Sequence, residues 1–207
     1  MPDRRILGAV VVLALTAPLA ACDSSSSGQA GSTTTPSTSG TSLLNDNSSI
    51  TFAPRPRDLS LVGVAPCSLL TSAQQTQLRV QKPVDAGPDD IGSFRGSPTC
   101  TFPFGVRSPG LSYSVETVTN KGIEYWLDPT LADTLKQVTI AGYPGLDLTA
   151  KFNPNVDNSC ETVVSVANNQ MILVNYAPTA GAPNTEACTQ TETVAAAAVA
   201  TLQTLKK

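Results

Sequence analysis

Residues 160–176, with the sequence Cys-Glu-Thr-Val-Val-Ser-Val-Ala-Asn-Asn-Gln-Met-Ile-Leu-Val-Asn-Tyr, decide the fold. Two runs rich in Val and Ile flank Asn168-Asn169, and β-branched side chains favour extended strands. Asparagine tolerates a positive φ, so it suits a tight turn between antiparallel strands. The stretch therefore predicts a β-hairpin and an antiparallel sheet around it.

Further β-prone runs lie on the N-terminal side of this hairpin. Leu111–Val118 alternates apolar and polar residues, which predicts a strand with Leu111, Tyr113 and Val115 on the core face. Two more strands are predicted: Thr99–Phe104, in which Pro103 indicates an edge or a bulge, and Leu135–Ile140, which ends in a turn at Ala141–Gly145.

Helical patterns stand at both ends of these strands. Leu69–Leu78 has a helical pattern that either Ser68 or Thr71 can cap, and Cys188–Lys207 repeats apolar residues at helical spacing. That C-terminal stripe consists of Val194, Ala198, Leu202 and Leu205. The order predicts the α+β class: an antiparallel β-sheet covered on one face, with an N-terminal and a C-terminal helix packed there.

Residues 1–22 have the pattern of a bacterial lipoprotein signal peptide. Arg4-Arg5 precedes the apolar run Ile6–Leu15, and Leu19-Ala-Ala-Cys22 forms a lipobox, whose cysteine receives a diacylglycerol. The alternative is a transmembrane helix, but the run is too short to cross about 30 Å of hydrocarbon. We predict cleavage of residues 1–21 and anchoring of Cys22, through diacylglycerol and palmitate, to the extracytoplasmic face of the cell membrane.

The remaining chain divides into a tether and a domain. Residues 22–56 are predicted to be the lipidated Cys22 and a disordered Ser/Thr/Pro tether, because this composition has little apolar surface to bury. Its mean reach is about 30 Å. A bare linker and a carrier of O-linked sugars both fit this composition. Residues 57–207 are predicted to form a single α+β domain.

Four cysteines remain once Cys22 is assigned to lipid: Cys67, Cys100, Cys160 and Cys188. An even number in an exported protein indicates two disulfides. Of the three pairings, we favour Cys67–Cys100 and Cys160–Cys188, because each joins neighbouring predicted elements. The alternative is a zinc site, which is disfavoured because the chain has no Cys-x-x-Cys pair and no histidine. No metal and no cofactor are predicted.

The composition argues against several functions. The chain has no histidine, which removes the Ser-His-Asp and Cys-His arrangements of hydrolases. Residues 1–21 contain two arginines and one aspartate, so their removal changes the formal charge from −3 to −4. An acidic chain without a basic cluster is a poor binder of nucleic acid. Asp89-Asp90 follows Gly87-Pro88 in a predicted loop, where a solvated turn is a better interpretation than a catalytic pair.

Three aromatic residues are candidates for partner binding. Tyr125 and Trp126 stand in a predicted short helix and could line a groove, since aromatic side chains anchor binding sites. Core packing is the favoured alternative, because a small domain needs apolar area. Tyr143, in Gly142-Tyr143-Pro144-Gly145, fits a recognition loop or an ordinary turn between strands equally well.

The motifs and their order resemble an uncharacterised family of actinomycete lipoproteins, a domain of unknown function. Besides the lipobox, the likeness rests on Pro66–Thr71, Cys100, Ile140–Pro144, Cys160–Val166 and Thr185–Cys188, and it covers residues 60–206. Phe102 is a departure, since the family often has Trp soon after the second cysteine. The resemblance implies an envelope location and a fold, but no activity.

We therefore expect a surface-tethered binding or accessory lipoprotein that is not an enzyme. Its partner would be an envelope protein, a peptide, a lipid or a glycan. One alternative is a carrier with an apolar cavity for a lipid or another small apolar ligand. Another is a histidine-free glycan hydrolase, which needs two inward carboxylates about 5–10 Å apart in a cleft.

The lipid anchor can be tested by replacing its acceptor atom. Cys22→Ser removes the thiol, so we expect the variant to lose incorporation of a fatty-acid probe in metabolic labelling and to keep an uncleaved signal. Cys67→Ser serves as the control, because the anchor does not use this thiol. Undiminished labelling of the Cys22→Ser protein would contradict the lipoprotein interpretation.

Overall fold

The computed structural model describes residues 50–89, 93–104, 111–150, 159–176 and 184–206. They form seven strands and two α-helices: α1 (Ser72–Gln77), β1 (Val84–Pro88), β2 (Pro98–Pro103), β3 (Ser112–Val118), β4 (Ala132–Ile140), β5 (Tyr143–Ala150), β6 (Cys160–Ala167), β7 (Gln170–Tyr176) and α2 (Asn184–Leu205). The described residues also contain the 3₁₀ helices Pro66–Leu69, which precedes α1, and Ile123–Leu127, which precedes β4.

The strands make one antiparallel sheet in the order β1-β2-β3-β7-β6-β5-β4. The hairpin predicted from residues 160–176 is confirmed as β6 and β7, with Asn169 at a φ of 54° in its turn. This hairpin lies inside the sheet, because β3 pairs with β7 while β5 pairs with β6. The chain therefore crosses from the middle of the sheet to its far edge between β3 and β4.

Helix α2 covers one face of the sheet through a stripe of small and branched residues. Val194, Ala195, Ala198, Val199 and Leu202 are fully buried there against residues of β3, β6 and β7. Small side chains let the helix lie close to the strands. Leu205, the last residue of the predicted stripe, is 53% exposed, because the helix ends there, beyond its last core residue.

The opposite face is also covered, so the prediction of a sheet covered on one face is incomplete. A second apolar cluster contains Val118 of β3, Val163 of β6 and Met171 of β7. The 3₁₀ helix Ile123–Leu127 closes it with Ile123 and Trp126. The cover comes from the connection between β3 and β4, which has to cross this face to reach the far edge.

The folded unit begins earlier than the predicted boundary at Arg57. Ile50 and Phe52 pack against the second cluster, and the Gln137 side chain donates a hydrogen bond to the Thr51 carbonyl at 3.0 Å. Arg55 donates to Ser165 at 2.9 Å and pairs with Asp58 at 2.9 Å. The domain therefore starts at or before Ile50. The predicted signal peptide, Cys22 and the rest of the predicted tether lie outside the described residues.

Two predicted loops are shorter in the structure than in the sequence pattern. Gly87-Pro88 does not belong to a loop but ends β1, so β2 is not the edge strand that Pro103 suggested. The turn between β4 and β5 is only Ala141-Gly142, both at positive φ. Tyr143 therefore begins a strand instead of standing in a recognition loop.

The N-terminal helical region is divided into two pieces. The 3₁₀ helix Pro66–Leu69 buries Leu69, and α1 starts after Thr71, which forms a capping box with Gln74. Gln74 also donates to the Ala197 carbonyl of α2 at 2.9 Å. No helix among the described residues is long and apolar enough to cross a membrane.

Two disulfides bind the helical segments to the sheet, with the predicted pairing. Cys67–Cys100 joins the first 3₁₀ helix to β2, and Cys160–Cys188 joins β6 to α2. They close loops with sequence separations of 33 and 28 residues. Each bond restricts the unfolded chain and should stabilise the fold by roughly 3–4 kcal/mol in the chain-entropy model.

Removing the second disulfide measures this contribution. We expect the double variant Cys160→Ala and Cys188→Ala to lose about 3–4 kcal/mol of unfolding free energy, because the unfolded chain regains its loop entropy. Guanidinium denaturation without reductant gives the value. Reductant should destabilise the variant further, since Cys67–Cys100 remains. An unchanged unfolding free energy would contradict the role of this bond.

Candidate functional site

A cluster of charged groups lies where α2 crosses β4, β5 and β6. Asp147 of β5 is the centre of this set, and Lys136 stands directly opposite on β4 with its Nζ 3.4 Å from Asp147 Oδ2. The same Nζ is 3.5 Å from Glu192 Oε1 on α2. Thr162 of β6 donates to Asp147 Oδ1 at 2.8 Å, and its hydroxyl lies 2.7 Å from that of Thr191. The cluster therefore links three strands to the helix.

Burial and neighbouring charges both shift the pKa values in this cluster. It raises the pKa of Asp147 to about 7, and the hydrogen bond with Glu192 acts in the same direction. The hydrogen bond from Thr162 and the charge of Lys136 oppose the rise in pKa. For Lys136, burial lowers the pKa, but the charges of Asp147 and Glu192 outweigh it and the net pKa is raised. Lys136 therefore stays a charged ammonium, whereas the pKa of Asp147 lies close to neutral pH.

Two carboxyl groups beside an ammonium could transfer a proton, but Asp147 cannot reach a substrate. Its side chain is 3% exposed, and its oxygens already face Lys136 and Thr162. A general acid or base has to come within hydrogen-bond reach of the reacting atom. This cluster is therefore suited to holding α2 on the sheet.

The sequence analysis did not identify this cluster, because Asp147 comes just after the predicted turn at Ala141–Gly145. The signal was the alternation Leu146-Asp147-Leu148, in which the two leucines enter the second apolar cluster and the aspartate must point to the α2 face. The partner Glu192 on α2 could not be found in this way, since local periodicity does not reveal which helix residue meets which strand.

A second acidic group lies on the opposite face of the sheet. Glu116 of β3 is 9% exposed, and its Oε1 has no hydrogen-bond partner. Burial raises the pKa of Glu116 to about 8, the charges of Asp89 and Glu161 add to the rise, and a hydrogen bond with Ser97 opposes it. Burial also raises the pKa of Glu161, although Asn175 donates to it at 3.0 Å. Each of these two carboxyl groups therefore keeps its proton to a higher pH than an exposed glutamate does.

The three predicted partner-binding aromatics have different surroundings. Tyr143 is fully buried in the α2-side core, and Trp126 is 5% exposed in the second cluster. Neither ring offers a surface to a partner. Tyr125 is half-buried: its hydroxyl donates to Ser93 at 2.6 Å, and the Lys121 ammonium lies 4.2 Å from its ring centre. Of the three, only Tyr125 is placed to meet a partner.

An accessible groove lies along the outer end of the β4–β5 hairpin, beside the segment that enters the domain. It encloses about 220 Å³ and is lined by Thr51, Phe52, Ala53, Gln137, Val138, Thr139, Pro144 and Gly145. We call this the edge groove, because β4 is the last strand of the sheet. Its lining contains no charged side chain. Sequence reasoning missed the groove, because one wall is the segment predicted to be tether.

Two further observations concern metal ligands and the size of the edge groove. Among them, no three His, Cys, Asp or Glu side chains are grouped so that they could hold a metal ion. The edge groove is smaller than the roughly 300–1,000 Å³ of sites that enclose drug-sized ligands. Its size and neutral lining suit a single side chain.

The comparisons with known proteins establish a family. A family model described as "Protein of unknown function (DUF3558)" matches residues 17–201, so the chain belongs to the DUF3558 family. No curated protein matches the chain, and no solved structure does. The predicted membership in a family of unknown function is confirmed, while its description as a family of actinomycete lipoproteins stays a prediction.

The buried Glu116 makes stability depend on pH. Its pKa is higher in the folded than in the unfolded chain, so the folded chain binds more protons and the unfolding free energy falls as the pH rises from about 4.5 to 8. We expect Glu116→Gln to raise the unfolding free energy by about 2–4 kcal/mol at pH 9 and to change it little at pH 5.

Denaturation curves at the two pH values measure this difference. Glu124→Gln is the matched control, because Glu124 is exposed on the same face. An equal effect of Glu116→Gln at pH 5 and pH 9 would contradict the raised pKa. The unfolding free energy of the Glu116→Gln protein should still fall somewhat as the pH rises, because burial raises the pKa of Asp147 as well.

Proposed function

We propose that this DUF3558 protein is a lipid-anchored binding module of the extracytoplasmic membrane surface, not an enzyme, and that a partner docks in its edge groove. The lipobox ending at Cys22 supports the anchor. The disulfides use all four other cysteines, as expected in an oxidising compartment, and leave Cys22 as the one thiol for lipid.

One observation carries the preference for binding over catalysis: the carboxyl groups with raised pKa values are buried away from solvent, while the accessible groove has no charged side chain in its lining. Asp147 and Glu116 have the raised pKa values of general acids, but both are at least nine-tenths buried. The edge groove can admit a ligand, but it has no acid, base or nucleophilic thiol in its lining. A neutral groove of this kind recognises shape and hydrogen-bonding groups.

The carrier alternative is less well supported. A lipid carrier needs an enclosed apolar cavity, whereas both faces of this sheet have closely packed clusters of branched and aromatic side chains. The hydrolase alternative needs two carboxylates that face the same open cleft. The carboxyl groups of Asp147 and Glu192 instead both face Lys136, between the sheet and α2.

We also propose that α1 and the preceding 3₁₀ helix share the face covered by α2, as the sequence pattern predicted. Leu69 and Leu70 belong to the same buried cluster as Val194 and Leu202. The hydrogen bond from Gln74 to Ala197 supports this arrangement. The entire helical layer would then lie opposite the face closed by Trp126.

Site-specific crosslinking in intact cells tests the proposed function. A photoreactive residue in place of Ala53, an exposed residue of the edge groove, should give a discrete crosslinked species in the membrane fraction. The control position is Val62, which is 67% exposed and outside the groove lining, and it should give none. Equal crosslinking from both positions, or none from Ala53, would refute the docking site.

A further inference from the structure

We infer that the outer edge of β4 binds an extended polypeptide segment of a partner protein as an additional strand, with one small uncharged side chain of that segment in the edge groove. The inference rests on the proposed function and names the chemistry of the partner. It is carried by the hydrogen-bonding pattern of β4, by the difference between the two edges of the sheet, and by the lining of the groove.

The turn of the hairpin fixes which backbone groups of β4 point outward. Ala141-Gly142 is a two-residue turn, so Ile140 and Tyr143, which flank it, form a hydrogen-bonded pair. Such pairs alternate along an antiparallel ladder. The residues between them direct their N–H and C=O groups away from β5, and these are Leu135, Gln137 and Thr139.

Pro144 agrees with this phase of the ladder. It stands opposite Thr139, at a pair where β5 donates no hydrogen bond to β4, and proline has no N–H to donate. Among the described residues, no backbone hydrogen bond reaches β4 from outside its pairing with β5. The outer edge of β4 therefore presents three N–H and three C=O groups in the alternating order that an extended chain complements.

The opposite edge of the sheet is unsuited to strand addition. β1 has only five residues, its register is irregular between Asp85 and Gly87, and it ends at Pro88. Short length, bulges and proline are the features that protect edges against pairing. β4 has nine residues and contains no proline, and from Thr134 to Ile140 its pairing with β5 is regular. Within the part of the chain that the structure describes, the sheet therefore has one protected edge, β1, and one edge without a paired strand, β4, which we call the open edge.

The edge groove decides which side chain of the added strand is accepted. Gln137 and Thr139, whose backbone groups point away from β5, also line the groove. A strand added to this edge therefore places some of its own side chains next to the groove. The groove contains Phe52 and Pro144 as apolar contacts and no charged group to neutralise a charged ligand. Lys136, on the other face of the strand, is held by Asp147 and Glu192. An uncharged side chain such as Ala or Val fits this surface.

A peptide probe tests strand addition directly. The probe is Ac-Thr-Val-Thr-Ala-Thr-Val-Thr-NH2, added to the mature domain and followed by amide hydrogen exchange. We expect the amides of Leu135, Gln137 and Thr139 to exchange rapidly in the free protein and at least 10-fold more slowly with saturating peptide. Replacing the central Ala by Glu or Lys should weaken binding at least 10-fold, because the groove has no compensating charge.

N-methylation of the probe separates strand pairing from other binding. A peptide added at the edge of a sheet pairs through only one of its own two edges. Methylation of the alternate amides along that edge should abolish binding, and methylation along the other edge should leave binding intact. Binding that tolerates both sets, or is lost with both, would overturn the inference. Protection of the same β4 amides in the free protein that increases with its concentration would also overturn it, since the occupant would then be a second copy.

A pair of variants connects the peptide result to the partner in cells. Thr139→Pro removes an outward N–H that β5 does not use, whereas Thr139→Val keeps the N–H and removes the hydroxyl. With the photoreactive residue at position 53, the crosslinked species should disappear in the Pro variant and persist in the Val variant. Crosslinking that persists in both variants would overturn strand addition but leave the proposed docking site standing. Absence of crosslinking in the parent protein would refute the docking site itself.

Discussion

The pairing of β3 with β7 is the constraint on which the rest of the structure depends. Each half of the sheet is a simple meander: β1 to β3 in the first and β4 to β7 in the second. Among the described strands, the antiparallel register from Tyr113↔Tyr176 to Val118↔Met171 is the pairing that joins the two halves. Without this pairing, each half would be a narrow sheet with two exposed edges and too little apolar surface to exclude water.

This pairing also determines how the two faces are covered. Because β7 occupies the position beside β3, β4 has to form at the far edge, and the chain between them crosses one face. That crossing brings Ile123 and Trp126 onto the face opposite α2. The two disulfides hold a 3₁₀ helix to β2 and α2 to β6, so each half of the sheet has one covalent link to a helical segment. The connection between β3 and β4 therefore covers one face, and a disulfide helps to hold α2 on the other.

The sequence was informative where structure is local and weak where it depends on topology. The hairpin of residues 160–176 has matched apolar runs and an Asn-Asn turn, so its neighbours in the chain suffice to predict it. β1 could not be predicted, since Val-Asp-Ala-Gly-Pro has low strand propensity and becomes a strand only because β2 offers an edge. The burial of Tyr143 was missed because a tight Ala141-Gly142 turn makes the following residues part of a strand. The Asp147 cluster required knowledge of which helix residue faces β5.

The same distinction explains why the open edge is invisible in the sequence. The run from Thr134 to Ile140 alternates like any partly buried strand, and nothing in it indicates whether one or two neighbours pair with it. Its position follows from β3–β7 pairing far away in the chain. An edge created in this way keeps unpaired backbone groups that cost little while water solvates them. Because β4 is free of proline over this run, regular in register and only lightly charged, the fold leaves intact the groups that a partner strand would need.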